Sequence, residues 1–236
     1  MNEEIIETAK ATQEVAKTTC KGIEATEKFG SFIAKYISGS LEQGMGIFED
    51  KLKYMRWERQ IRLINKAEEV MKSRGLVKPS KPIPLKLAIP LFESASLEDD
   101  SYIQDLWVNL LVNSSSDHTK FSLERSYINV LEQLTTLEAK ILVTIYSHEF
   151  EVNKGYEIQT SLLPDQIIFR EQKNLDFSSK TSEEYQDPKD PNDTIKLALS
   201  NLSRLQCLKL APSLGQEIYA VIHPTLFGAK LYEAIQ

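Results

Sequence analysis

One stretch constrains the fold of this chain more than any other. Lys81 to Ser115, KPIPLKLAIPLFESASLEDDSYIQDLWVNLLVNSS, joins two apolar segments through an acidic cluster. From Tyr102 onward, Ile103, Leu106, Trp107, Leu110 and Leu111 recur at three- and four-residue steps, the period of an amphipathic helix. Ser96-Leu97-Glu98-Asp99 has the spacing of a capping box, with Ser96 as the cap and Asp99 reaching back to it. Glu98, Asp99 and Asp100 also put negative charge at the positive end of that helix's dipole. Ahead of the cap, Ile83 to Phe92 is nearly all apolar and reads as a mostly buried helix, with Pro84 in its first turn and Pro90 as a kink. The alternation of Ile83, Leu85, Leu87, Ile89 and Leu91 offers a strand as the competing reading.

The rest of the chain breaks into three regions around this stretch. Residues 1–46 form a helical amphipathic arm. Its early part keeps a heptad spacing from Ile5 to Ile37, but Thr, Ala and Gly fill half of the seam, so a coiled coil there is weak. Its later part gathers Phe29, Phe32, Ile33, Tyr36, Ile37 and Leu41 on one face, suited to a membrane surface, to the protein's own core or to a second copy. Gly39, Gly44 and Gly46 interrupt it as a stop and a hinge. Residues 47–134 form a helical core, whose first long helix ends at Ser73-Arg74-Gly75 with Gly75 as the left-handed cap.

Residues 135–236 have their own logic. Thr135 to Glu138 has capping-box spacing, and Ala139, Ile141, Leu142, Ile145 and Tyr146 form the buried side of the helix it opens. LLPDQIIFREQ reads as helix-like and leads into a polar loop, 174–193. Asp193 caps a helix from Thr194 to Leu210 with Ile195, Leu199, Leu202 and Leu205 inward. A hairpin turning near Leu214-Gly215-Gln216 and a last helix, LFGAKLYEAI, close the chain. Three helices followed by a hairpin resemble a winged helix-turn-helix. The expected fold is mainly α: a helical body, a long helical arm, and a winged-helix-like C-terminal region with a small β-hairpin.

Four pieces of the central region resemble the abortive-infection alpha (Abi-alpha) family, bacterial proteins associated with defence against phage. They are YMRWERQIRLINKAEE, PIPLKLAIPLFESASLEDD, LWVNLLVNS and RSYINVLEQLTTLEAKIL, in that order, from about Tyr54 to Leu142. The resemblance implies an abortive-infection role without naming a catalytic residue, so none is carried over. The expectation set beside it is a non-enzymatic protein that acts through protein or membrane contacts, self-association included.

Charge points to a candidate surface. Between Lys51 and Lys86 eleven Lys or Arg stand against three Glu, while Glu93 to Asp105 holds five acidic residues and no basic one. Arg56, Arg59, Arg62 and Lys66 line one side of a helix. That face suits an anionic partner such as nucleic acid or lipid headgroups, or it is a solvated face partly paired with the acidic cluster. The alternative function, a DNA-binding regulator, would place Lys196, Asn201 and Arg204 in the major groove. Eleven basic against sixteen acidic residues from 121 to 236 weigh against DNA, because phosphate contacts dominate affinity.

Enzyme signatures and cofactor motifs are missing. His118, His148 and His223 lack metal-ligand spacing, and there is no Gly-rich phosphate loop. Glu98, Asp99, Asp100 and Asp105 suit a hard cation, but their place at a helix start accounts for them. Cys20 and Cys207 lie far apart, which fits a reducing compartment. MNEEIIETAK lacks a basic segment followed by an apolar one, and no run approaches the length needed to span a bilayer. The expected location is the cytoplasm, with Phe29–Leu41 as the segment suited to a peripheral site at the inner membrane.

Overall fold

The fold is that of a computed structural model, which describes residues 23–24, 27–38, 57–117, 122–148, 156–171, 188–212 and 218–236. The Cys20, His118 and Arg56 positions, the heptad arm before residue 23 and most of the polar loop 174–193 lie outside the described residues. The chain divides into two compact units, Met1–Ile128 and Asn129–Gln236. The described structure is mainly α-helical, with a small antiparallel sheet in the C-terminal unit.

In the first unit a short helix, α1 (residues 27–34), leads into a two-residue strand β1 (Ile37–Ser38), which lies parallel to β2 (Ile83–Pro84). Three longer helices carry the core: α2 (Trp57–Ser73), α3 (Leu85–Leu97) and α4 (Ser101–Ser114), each packed on the other two. Phe92 of α3 is the hub. The rings of Phe29, Phe32 and Tyr36 surround it at centroid distances of 6.2, 6.1 and 5.9 Å, all edge-on. Edge-on contact suits the ring quadrupoles and adds to the burial of large apolar surface. All four side chains are buried, so this part of the arm's apolar face is spent on the core.

The Ile83–Phe92 segment is a helix after its first two residues, and Pro90 sits inside it. Proline removes a backbone donor there, and the Ser94 hydroxyl donates to the Pro90 carbonyl at 2.9 Å. The capping box at Ser96 does not form. Ser96 lies buried inside α3, and the cap of α4 is Asp100, whose carboxylate accepts from the Tyr102 and Ile103 amides at 2.8 and 3.0 Å. The Glu98 carboxylate accepts from the Asp100 amide instead, at 2.8 Å. Helix α3 simply runs two residues further than the sequence spacing implies, which pushes the next start along. Helix α4 is buried nearly all round, with Gln104, Val108 and Val112 inside as well as the anticipated stripe.

Helix α5 (Arg125–Leu131) carries the chain into the second unit. There α6 (Thr136–Tyr146) opens on a complete capping box: the Thr135 amide donates to Glu138 at 2.7 Å and the Glu138 amide to Thr135 at 3.3 Å. Two strands follow, β3 (Tyr156–Gln159) and β4 (Ile168–Glu171), then α7 (Asp193–Arg204), β5 (Leu208–Ala211), β6 (Ile218–Pro224) and α8 (Leu226–Ile235). The strands form one antiparallel sheet in the order β4-β3-β6-β5, with Ile158 opposite Ile222 and Ile222 opposite Leu210.

Three expectations are corrected here. LLPDQIIFREQ is a turn followed by a strand, because Pro164 disfavours a continuing helix and Ile168 to Glu171 pair with Tyr156 to Gln159. The winged-helix-like outline therefore carries a strand pair where it calls for a helix, and the hairpin is half of a larger sheet. Helix α7 is capped by Asn192, which accepts from the Ile195 amide at 3.0 Å, and Asp193 lies in the first turn. It stops at Arg204 rather than Leu210. Gln206 adopts a left-handed φ of 63°, and the Cys207 and Gln206 amides donate back to Leu202 and Ser203. That is a Schellman ending, usually built on glycine, and the chain leaves it as strand β5.

Candidate functional site: a lysine-rimmed apolar cleft

A cleft of about 570 Å³ opens in the first unit between the end of α1, the last turns of α2 and the loop that follows. Its apolar lining comes from Phe32, Tyr36, Met71 and Leu76, with Val77 on the lip. Lys35, Lys72 and Lys78 supply three cations and Glu68 one carboxylate. The Tyr36 hydroxyl donates to the Met71 sulfur at 2.9 Å. Burial, and secondarily the nearby Glu68 charge, hold the Tyr36 phenol well above its ordinary pKa, so it stays protonated.

Local sequence chemistry shapes this cleft. Helix α2 ends in a Schellman motif, with Leu76 donating to the Met71 carbonyl at 2.8 Å and Gly75 to Lys72 at 3.1 Å. Gly75 sits at φ 69°, a conformation that a side chain would strain. The Ser80 and Lys81 amides both donate to the Ser115 carbonyl at 2.9 Å, tying the loop to the end of α4. Arg74 braces the same corner by donating to Asn113 and Asn109 at 2.6 and 3.0 Å.

Of the basic helix face projected from sequence, Arg59, Arg62 and Lys66 lie on α2, and Arg56 lies outside the described residues. Arg59 donates to the Leu97 carbonyl and pairs with Asp99 at 3.1 Å. Lys66 donates to the Ser101 carbonyl at 3.0 Å and pairs with Asp105. Arg62 lies exposed between them. Thus the acidic residues around the start of α4 serve as partners and cap: Asp99 for Arg59, Asp105 for Lys66, and Asp100 for its own helix. Among the described residues, no group of three or more His, Cys, Asp or Glu gathers to hold a metal.

Against known proteins, the model of the abortive infection alpha family matches residues 58–235. The chain belongs to that family. No curated protein and no solved structure matches it. The match runs well past Leu142, where the pieces that carry the resemblance end, and takes in the C-terminal unit up to residue 235.

In that Abi-alpha C-terminal unit the three residues proposed for DNA contact are engaged internally. Lys196 pairs with Asp190 at 2.8 Å, which raises its pKa, and stands 6.0 Å from the Tyr219 ring centre. Asn201 donates to the buried Glu138 carboxylate at 2.7 Å. Arg204 donates to Asn201 and, at 3.0 Å, to Gln133. His148 is exposed and His223 half-buried, their Nδ1 atoms 3.1 Å from the Thr144 and Tyr156 carbonyls. Cys207 is buried, and burial together with the Glu138 charge pushes its thiol up to about 12. A low-pKa nucleophile is the opposite of this.

Sequence reasoning missed the cleft. Its lining joins residues forty positions apart, Lys35 and Tyr36 with Met71 to Pro79, and no local pattern links them. Only Gly75 signalled the turn that builds one wall.

Proposed function

We propose that this protein is a phage-defence factor of the abortive-infection kind that works by contact with a partner and performs no bond chemistry of its own. The family match over residues 58–235 carries the reading. The make-up of the cleft supports the contact part: ammonium groups, one carboxylate, a protonated phenol and a thioether on apolar walls suit binding. Protein contact is preferred to membrane contact through Phe29–Leu41, since Phe29, Phe32, Ile33 and Tyr36 are buried in the core. No described helix is long and apolar enough to cross a membrane. A cytoplasmic location goes with this reading.

With Arg59 and Lys66 paired within the unit, Arg62 and the cleft lysines are the described cations that this reading offers an anionic partner. The test is phage plating and culture survival in bacteria carrying the gene, at low and high multiplicity of infection. Reduced plating with culture collapse at high multiplicity is the expected result. Unchanged plating across a broad phage panel would overturn the defence role.

A further inference from the structure

We infer that the cleft beside α2 is a binding site for a small amphiphilic anion, an acyl-chain-sized apolar group bearing a carboxylate or a phosphate. Four observations converge on that chemistry. The first is size: about 570 Å³ falls within the roughly 300–1,000 Å³ of small-molecule sites.

The second is the lining. Phe32, Tyr36, Met71 and Leu76 offer an apolar floor, and Val77 on the lip is 98% exposed. Among the described lining residues there is no Asn, Gln, Ser or Thr. A sugar or a nucleobase needs several such hydrogen-bonding partners to replace water, whereas an alkyl chain needs none. The cost of the bare Val77 side chain is relieved once an apolar group covers it.

The third is charge. Lys35, Lys72 and Lys78 form no ion pair or side-chain hydrogen bond with any other described residue, in contrast to Arg59 and Lys66 on the same side of the sequence. Three cations against Glu68 leave the rim with a surplus of two positive charges, which an anionic head would meet.

The fourth is a donor held in reserve. The Tyr36 hydroxyl spends its proton on the Met71 sulfur, a weak acceptor. A carboxylate or phosphate oxygen entering the cleft is a stronger one, and the phenol, kept protonated by burial, can turn to it. The Schellman ending of α2 and the Ser115 tie hold these walls in place before a ligand arrives, which lowers the ordering cost of binding.

The inference deepens the contact reading by naming a ligand, and it is tested apart from phage plating, so that either can fail alone. The full chain is titrated calorimetrically with decyl phosphate and with decanoate, each below its micelle concentration, with inorganic phosphate as the headgroup control. Saturable one-to-one binding of the two amphiphiles is expected, with none for inorganic phosphate. The double variant Lys72→Glu/Lys78→Glu, checked for unchanged circular dichroism, should bind about tenfold more weakly or worse, because two attractive charges become repulsive. Tyr36→Phe should weaken binding by about threefold to tenfold through the lost hydroxyl. Failure of both amphiphiles to saturate overturns the proposal, as does equal affinity in the charge-reversed protein. Association with phosphatidylglycerol vesicles without binding of the free amphiphiles also overturns it, and would assign the lysines to a lipid surface.

Discussion

The two units of this protein differ in how certain of their charged side chains are held. In the second unit they are wired into the fold. Glu138 caps its own helix, receives Asn201 from α7, and Asn201 in turn holds Arg204, which also reaches Gln133. The Tyr146 hydroxyl donates to the Cys207 carbonyl at 2.5 Å and accepts from the Thr225 amide at 2.9 Å. In the first unit Arg74 and Asp100 likewise serve the fold, but the cations of the cleft are left with no described partner. Buried polar networks hold a unique arrangement but cost stability when broken, whereas exposed cations contribute little to stability. The contrast predicts that substitutions in the Glu138–Asn201–Arg204 network should damage folding, and substitutions of the cleft lysines ligand contact.

The sharpest way to break the second unit is Gly228→Ala. A Cβ at that position would overlap the Cys207 carbonyl oxygen and the Tyr146 phenol, one of which is backbone and cannot swing away. Overpacking there, with loss of the Tyr146 bonds, should cost about 3 kcal/mol. Urea denaturation checks it, and a loss under about 1 kcal/mol would show that the α6–α8 contact yields easily.

Buried ionisable groups give the next test. The Cys207 thiol is pushed up to about 12, and burial raises Tyr36 and Tyr146 as well. In the unfolded chain these groups lose their protons at lower pH than in the folded one. Over the window from the ordinary thiol value of 9.0 to about 12, the folded state therefore binds more protons. Stability should be unaffected below that window and fall as pH rises through it. In a Cys20→Ser background, Cys207 should resist alkylation at pH 8 until the protein is unfolded. Fast labelling of the native protein would contradict the burial.

How much of this was legible in the sequence follows the range of the interaction concerned. Helix α2 with its Gly75 ending, the Thr135–Glu138 box and the last helix were all readable, because each depends on residues within a turn of one another. The start of α4 was misplaced, since Ser96 and Asp100 both satisfy local cap chemistry and only packing of α3 decides between them. Strand β4 was missed because Ile168 to Glu171 is a strand only by virtue of its partner Tyr156 to Gln159. The end of α7 was missed because glutamine rarely takes the left-handed position that Gln206 fills. The cleft, built from two distant segments, had no local signature.

A smaller effect sharpens the account of α4. Removing the Asp100 carboxylate, as in Asp100→Ala, leaves the Tyr102 and Ile103 amides to water and should cost about 1 kcal/mol. Ser96→Ala removes a hydroxyl that donates within α3, to the Glu93 carbonyl at 3.0 Å. If the serine were the working cap, as its spacing suggests, the order of the two losses would be reversed. Thermal denaturation of the pair decides between them.

The smallest effect separates paired from unpaired cations within the first unit. Arg59–Asp99 and Lys66–Asp105 are surface pairs, with the acidic side chains 77% and 59% exposed. Exposed pairs contribute about 0.2–1 kcal/mol and are screened by salt. A double-mutant cycle on Lys66→Ala and Asp105→Ala should return a coupling of about 0.5 kcal/mol that shrinks at high ionic strength. Lys72→Ala, by contrast, should show no coupling to Asp105 and a stability change within about 0.5 kcal/mol. Equal coupling for both lysines would mean that Lys72 also serves the fold, and the division between structural cations on α2 and ligand-facing cations at its end would collapse.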